Sequence, residues 1–361
     1  MNTTAMLEPS TNTFTEPLLE NLRKHPKRLV FTGGEDARII RVASWLVQEM
    51  AAAPILLGRR DIIRRIAEQN DIPLNFVRII EPAKSPDVPV FCERLTRIQK
   101  IIGNDEIDVC SLVVQHIHFA AMMTLYGQAD SVIAGNSLGT AAIVRAAMRY
   151  RQDFQHPQLF GINILHIPEF AERYGQSTYF TADSILTPVP TIEQLAHSAV
   201  ETSKFARHLL GHTIQTSMLS ASTLGSKPDL PANRVQAAVA LAQAQIRQEG
   251  LNSEIAIEGE IQIDAAISHE AYSMRVKPSS IRRPSNVLIF PTLDAADITT
   301  RLLNLMGTVH SYGHILSGIL FPLAMVTRLA TEEQIYGTAL IVGNEAIKYH
   351  HLYPEGTAPV Y

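Results

Sequence analysis

Several absences narrow the field. Cysteine is scarce, with only Cys92 and Cys110 in 361 residues. Two cysteines resemble neither a disulfide framework nor a zinc pattern, and a reducing cytoplasm suits them best. An excess of positive charge is missing. The formal charge of −4 argues against a nucleic-acid partner bound by overall charge, while local arginines can still hold a small polyanion. No apolar run reaches the ~18–20 residues that a membrane span needs. The stretch from Met1 to Pro17 lacks a basic start followed by an apolar core, so it is not a secretory signal and reads as a mobile tail. The thirteen histidines form no HExxH or similar metal cluster, and no G-x-G-x-x-G opens a helix. A dehydrogenase reading therefore loses its fingerprint. There is no repeat at a fixed period and no low-complexity tract.

What remains is an ordinary soluble composition, 46% hydrophobic and 18% charged, on a chain long enough for two domains. Short β-rich runs alternate with helical patterns. Strands are expected at 28–32, 53–57, 76–80 and 131–134, and helices at 36–50, 60–69, 90–102, 109–126 and 140–150. A second series places strands at 158–165, 178–180, 213–219, 254–257 and 287–291, and helices at 191–210, 232–249, 296–307 and 332–348. Such alternation predicts an α/β fold with mostly parallel sheets. The sparsely patterned 151–157 reads as a domain crossover.

Two turns stand out. The expected strand 213–219 runs into Ser220, Ser222, Thr223, Gly225 and Ser226 before a strong helix that carries Pro231 at its entry. Free N–H groups, small hydroxyls and the positive end of a helix dipole suit an anion. A second turn, Ala134-Gly-Asn-Ser-Leu-Gly-Thr140, includes Asn136, Ser137 and Thr140 and leads into a helix with Arg145 and Arg149. Two such turns suggest a ligand with more than one anionic group, although glycine turns also serve as plain connectors.

Three further features carry alternatives. Arg328 precedes a helix opening on Glu332 and Glu333, where Thr331 can equally be an N-cap and Arg328 simply solvated. Glu258-Gly-Glu-Ile-Gln-Ile-Asp264 brings three carboxylates together. These can hold a metal or serve as loop caps and ion-pair partners. His310 and His314 share a face only if their segment is helical, and Gly313 speaks against that.

Taken together, these segments resemble phosphate acetyltransferase (phosphotransacetylase) and its phosphate butyryltransferase relatives from about Phe31 to Gly343. The pieces in register include Gly34-Glu-Asp-Ala-Arg38, Met122 to Asp130 with Gly135 and Thr140, Asp183 with Pro190-Thr191, Met218 to Ser226, Glu258 to Ala266, Asn286 to Pro291, and Gly318 with Pro322 and Thr327-Arg328. The resemblance implies two three-layer α/β domains of the isocitrate/isopropylmalate dehydrogenase type with a cleft between them. Residues 18–152 plus 314–361 would form the first, 153–313 the second, and 1–17 the tail. It implies a cytoplasmic homodimer that moves a short acyl group, acetyl first, between coenzyme A and inorganic phosphate. No tightly bound cofactor, metal, nucleic acid or membrane is implied. Butyryl and other acyl groups remain open, as does a non-catalytic acyl-CoA-binding relative.

By the same resemblance the family's motif arginines fall on Arg145, Arg328 and Arg97 and its hydroxyl turn on Ser222, Thr223 and Ser226; the two glycine turns add Asn136, Ser137, Thr140 and Gly225 as substrate-binding candidates, and Arg301 and His314, at or beside departures from the family pattern, complete the set. The chemistry falls on Thr327, Arg328, Glu333 and Gln334. Four positions depart from the family pattern. Thr327 replaces a serine and retains a hydroxyl. Gln334 stands where the family has its carboxylate base, with Glu333 one step of ~100° around the helix. Leu305 replaces an arginine, for which Arg301 one turn earlier can compensate. His314 replaces a proline. Glu332, Glu333 and His314 are the candidates for a displaced base.

Overall fold

The computed structural model describes residues 11–102, 108–136, 138–151, 158–227, 229–276 and 284–352. Residues 1–10 of the expected tail, Ser137, and 152–157 of the expected crossover lie outside them. The chain divides into two compact units, Met1–Pro157 with Gly318–Tyr361, and Gln158–Ser317.

The first unit opens with α1 (Thr15–Lys24), β1 (Lys27–Phe31), α2 (Ala37–Gln48), β2 (Ala52–Leu57), α3 (Arg60–Gln69), β3 (Arg78–Ile80) and α4 (Val88–Ile102). It continues through α5 (Val109–Val113), α6 (His116–Leu125), β4 (Ser131–Gly135) and α7 (Thr140–Ala147). The second unit holds β5 (Phe160–His166), α8 (Glu169–Tyr174), β6 (Thr178–Ala182), α9 (Ile192–Leu210), β7 (Ile214–Leu219) and α10 (Leu230–Gln248). It ends with β8 (Ile255–Ile261), α11 (Ile263–Ile267), α12 (His269–Arg275), β9 (Val287–Ile289), α13 (Leu293–Met306) and β10 (His310–Ser317). The chain then returns to the first unit with β11 (Leu323–Val326) and α14 (Glu332–Leu352).

The first unit's strands run β3-β2-β1-β4-β11, every pair parallel. The second unit's run β10-β5-β6-β9-β7-β8; β10, β5 and β6 pair antiparallel and the rest parallel. The α/β class with mostly parallel sheets is thus the one that the alternation predicts. Parallel strands are buried on both faces, and β4 and β6 are buried at every position. α14 packs on α1, α2, β1, β4 and β11. Its buried Asn344 donates from Nδ2 to the Leu18 and Leu340 carbonyls at 2.9 Å, and its Oδ1 accepts from Asn21 Nδ2 at 2.7 Å.

Several boundaries differ from the sequence expectation. α1 begins inside the expected tail: Asn12 Oδ1 accepts the Thr15 N–H at 3.0 Å, and Leu18, Leu19 and Leu22 are buried. The expected helix 109–126 breaks into α5 and α6. β8 extends to Ile261, so two of the three clustered carboxylates lie in a strand. Elements α8, α11, α12, β10 and β11 carry too little periodicity to be read. The two cysteines nevertheless pair: Cys92 and Cys110 form a disulfide between α4 and α5, with Cα atoms 5.2 Å apart, a spacing that such a bond requires.

Candidate active site

In the first unit, three adjacent parallel strands, β1, β4 and β11, release their loops at the same edge. Leu29 to Phe31 pair with Ser131 to Ile133, and Val132 to Gly135 pair with Leu323 to Val326. Ligands of open α/β sheets bind at the carboxyl ends of strands. The β4 loop starts at Gly135, where φ is +121° and a side chain would run into the Val326 carbonyl. Asn136 follows, buried, its N–H donating to the Val326 carbonyl at 3.2 Å. Thr140 and Arg145 are exposed on α7, whose N-cap Gly139 provides no side-chain acceptor. Among the described residues, no side chain caps the first N–H groups of that helix.

The β11 loop carries Thr327 and Arg328, both exposed. Arg38 fixes its backbone. The Arg38 guanidinium donates to the Arg328 and Ala330 carbonyls at 3.0 and 2.7 Å and forks onto Asp36 at 3.1 and 2.8 Å. Burial raises the Asp36 carboxyl, but Arg38 and the Asn136 amide outweigh it and hold the group below its ordinary value. With its carbonyl held and its side chain in water, Arg328 is presented rather than consumed. Among the described residues, the guanidiniums of Arg328 and Arg145 have no hydrogen-bond or ion-pair partner. Arg97, by contrast, pairs with Glu93 on the exposed side of α4.

Gln334 occupies the third position of α14. Its N–H donates to Thr331 Oγ1 at 3.2 Å, and its Oε1 accepts the Thr331 N–H at 3.0 Å. This is a capping box, so the N-cap alternative for Thr331 holds and the Gln334 amide is engaged in the helix start. Glu332 accepts from Arg41 at 3.0 Å, and Glu333 is half-buried beside it.

The turn after β7 differs from its expectation. Ser222 and Thr223 are buried, 1% and 4% exposed. Ser222 Oγ donates to Glu260 Oε1 at 2.8 Å and accepts the Lys227 N–H at 3.0 Å. Glu260 Oε1 also accepts the Gly225 N–H at 2.7 Å, and Ser226 Oγ accepts that of Thr223 at 2.9 Å. Thr223 Oγ1 donates to Gln262 Oε1 at 3.2 Å. The Leu224 N–H goes to the Glu260 carbonyl, and the Ser226 N–H to that of Thr223. Helix α10 is already capped, because Asp229 accepts from the Ala232 N–H at 2.9 Å. The free N–H groups expected of Gly225 and its neighbours are thus used internally, and a carboxylate fills the turn. Burial raises Glu260, but the Gly225 N–H and Ser222 hydroxyl help to outweigh it, and the group titrates below its usual range. A second anion there would meet this charge.

The other two carboxylates of that motif are also engaged. Glu258 accepts from the Tyr272 hydroxyl at 2.6 Å, and Asp264 pairs with Arg275. Asp264 thus serves as an ion-pair partner and accepts the Ala265 N–H at 2.9 Å, and Glu258 serves as a hydrogen-bond acceptor. No group of three metal ligands occurs among the described residues.

His314 lies in β10, a strand rather than a helix. Gly313, with φ at +91°, opens a bulge, so Tyr312 pairs with Ile164 and Ile315 with Ile162 while Gly313 and His314 together oppose Asn163. The bulge turns the His314 ring to Ser184, whose Oγ lies 2.9 Å from Nδ1. Ser184 follows β6 and also donates to the Gly161 carbonyl at 2.9 Å. Burial pushes the imidazole down to about 4, against the opposing influence of Asp183 and Asp297. Such a group is too weak a base for a thiol at neutral pH. Asp183, part of the family-like pattern but not of the expected site, accepts the N–H groups of Gly161, Ile185 and Thr187 at 2.9, 3.0 and 2.8 Å.

On α13, Arg301 pairs with Asp297 at 2.6 Å. Leu305 is 85% exposed, in a row with Ile298, Leu302 and Met306 that spans one helix face. The second unit also contains a cavity of about 210 Å³, lined by Phe170, Tyr179, Ile263, Ile267, Phe290 and Leu303 among others. Its apolar wall does not suit phosphate.

Comparison with known proteins gives this arrangement its context. The family described as phosphate acetyl/butaryl transferase matches residues 13–342. The phosphate acetyltransferase of Acetivibrio thermocellus is 29% identical over 333 residues, 92% of this chain and 98% of that protein. That of Thermoanaerobacterium thermosaccharolyticum is 29% identical over 316 residues, 87% and 93% of the two chains. Among solved structures, the EutD phosphotransacetylase from Staphylococcus aureus superimposes with a TM-score of 0.80 at 25% identity, covering 93% of this chain and 100% of that one. A phosphotransacetylase from Streptococcus pyogenes gives 0.79 at 26%, covering 92% and 98%. With the family match extending over nearly the whole length, the chain belongs to the phosphate acetyl/butaryl transferase family of acyltransferase enzymes.

Proposed function

We propose that the protein transfers an acetyl group reversibly between coenzyme A and inorganic phosphate. The observation that carries this is the presentation of Arg328, with its carbonyl clamped by Arg38 and its guanidinium left for an anion. A guanidinium forks onto phosphate oxygens with a geometry that an ammonium lacks. Thr327, Thr140 with the start of α7, and Arg145 supply further donors. His314 is the coenzyme-side candidate of the second unit, whereas Arg301 is paired with Asp297 on the exposed face of α13. Ser222, Thr223, Gly225 and Ser226 act as framework around Glu260.

In the thioester-forming direction, the coenzyme thiolate attacks the acetyl carbonyl of acetyl phosphate. The carbon–oxygen bond to phosphate breaks, and phosphate leaves on the arginine side. An amide at Gln334 accepts no proton, and a neutral His314 is too weak a base. Glu332 is tied to Arg41, which leaves Glu333 as the carboxylate beside Gln334; on the reading proposed here the thiol proton goes to solvent and the rate follows the thiolate fraction, and a rate undiminished in Glu333→Gln would support it. Incubating the protein with coenzyme A and acetyl phosphate and following thioester absorbance tests the assignment; no thioester formation would remove it.

A second reading, an acyl-CoA-binding protein without turnover, draws on the engagement of Gln334 in the capping box and on Leu305 at the expected arginine position. Acetyl-CoA binding without turnover would favour it. We further propose a cytoplasmic homodimer. The apolar row on α13 supports a dimer, since soluble monomers rarely expose such contiguous faces. In a reducing compartment the Cys92–Cys110 pair would be opened to two thiols.

A further inference from the structure

We propose that His314 is a fixed hydrogen-bond acceptor for an amide N–H or hydroxyl on the pantetheine arm of coenzyme A. This rests on the acyl-transfer assignment above.

The argument begins at Ser184. Its hydroxyl has one proton and two neighbours, the Gly161 carbonyl at 2.9 Å and His314 Nδ1 at 2.9 Å. A carbonyl oxygen only accepts, so an oxygen–oxygen approach of this length places the hydroxyl proton on the line to Gly161. An imidazole nitrogen plays either role. Nδ1 must then carry hydrogen and donate to Ser184 Oγ. This fixes the tautomer, and Nε2 retains its lone pair. Among the described residues Nε2 has no hydrogen-bond partner.

Asp183 from the end of β6 and Asp297 and Arg301 from α13 are the charged groups around the ring. None converts it into a cation at neutral pH, because burial dominates. Ser184 stands at the carboxyl end of β6, which pairs parallel with β9, and strand ends of this kind receive ligands. The bulge at Gly313 delivers the ring there.

An acceptor without a proton repels fully ionised phosphate oxygens and the phosphoryl oxygens of acetyl phosphate. It selects a donor. Coenzyme A carries two amide N–H groups and a hydroxyl along its arm. Inorganic phosphate retains one hydroxyl near neutral pH and is the competing source. His314 is accordingly a binding and orienting residue rather than the base that ionises the thiol.

The test is a two-bond 1H–15N correlation spectrum of the uniformly labelled full chain, with His314 assigned through the signal lost in His314→Gln. The free protein should show the Nδ1-protonated pattern, and Nε2 should shift on saturation with coenzyme A but not with inorganic phosphate alone. In steady state, His314→Leu should raise KM for coenzyme A about five- to tenfold, more than kcat falls. His314→Gln, which places a carbonyl oxygen near the Nε2 position, should recover most of that loss. Melting temperatures of both variants separate a binding effect from misfolding. An Nε2-protonated tautomer would overturn the proposal. So would a shift with phosphate alone, or coenzyme-induced shifts elsewhere that leave His314 unmoved. If neither ligand moves any resonance, the acyl-transfer assignment falls and this one with it.

Discussion

Arg328 and Glu260 show how differently two charged residues can serve a turn. Arg328 is exposed and its backbone is tied by Arg38, so truncation should spare the fold. Arg328→Ala is expected to lower kcat/KM by ~10² or more if the guanidinium stabilises the transferred phosphate; unchanged kinetics would remove it from the site. Glu260 is fully buried and accepts from Ser222 and Gly225. Glu260→Gln swaps a charged acceptor for a neutral one and should cost ~1–3 kcal/mol of stability, with little change in KM for phosphate. A large rise in that KM at unchanged melting temperature would return the turn to the substrate site.

This is also where the sequence was legible only in part. The hydroxyl- and glycine-rich turn after β7 was visible, but its acceptor was not. Glu260 lies 35 positions from Gly225 and arrives through the parallel pairing of Met218 with Gly259. Asp36 and Arg38 similarly reach the Arg328 loop from the other end of the chain. Gln334 was readable as a departure from the family pattern, whereas its capping role needed the geometry of Thr331.

Among the elements, amphipathic helices and strands bounded by turn residues could be read directly. The expected bounds of α3, 60–69, are those observed, because its apolar spacing is strong. β11 spans four buried residues, too few to show alternation, and the Gly313 bulge breaks the pattern of β10. Helix α13 illustrates a further limit: its apolar residues predict a packed helix, but only Ala296 is buried. If the exposed row joins two copies, Leu305→Asp should convert a dimer to a monomer in sedimentation. A wild-type monomer, or a dimer indifferent to this change, would rule out the face.

For the whole molecule, buried histidines set the acid limit. His118 and His166 are 2% and 1% exposed, and burial pushes each down to about 4 from an ordinary 6.5. His314, which is only half-buried, is shifted in the same direction. Between those values the unfolded chain binds protons that the folded chain refuses, so stability falls as pH drops from about 6.5 to about 4 and levels off below, as far as these groups are concerned. Thermal unfolding across that range should show a steady decline in melting temperature with acidification. A flat profile would mean that the rings are more hydrated than their burial indicates.

The central claim is acetyl transfer without a protein base at position 334, and its most direct measurement is the rate of thioester formation from coenzyme A and acetyl phosphate as a function of pH. The account predicts turnover that rises about tenfold per pH unit through neutrality and levels off only where the coenzyme thiol is itself largely ionised. It also predicts that Gln334→Glu, which keeps the reach needed for the capping box, raises the rate near neutral pH. A rate independent of pH between about 6 and 8 would contradict it by revealing a protein base already in place, and binding of acetyl-CoA with no turnover at any pH would contradict the assignment of an active transferase.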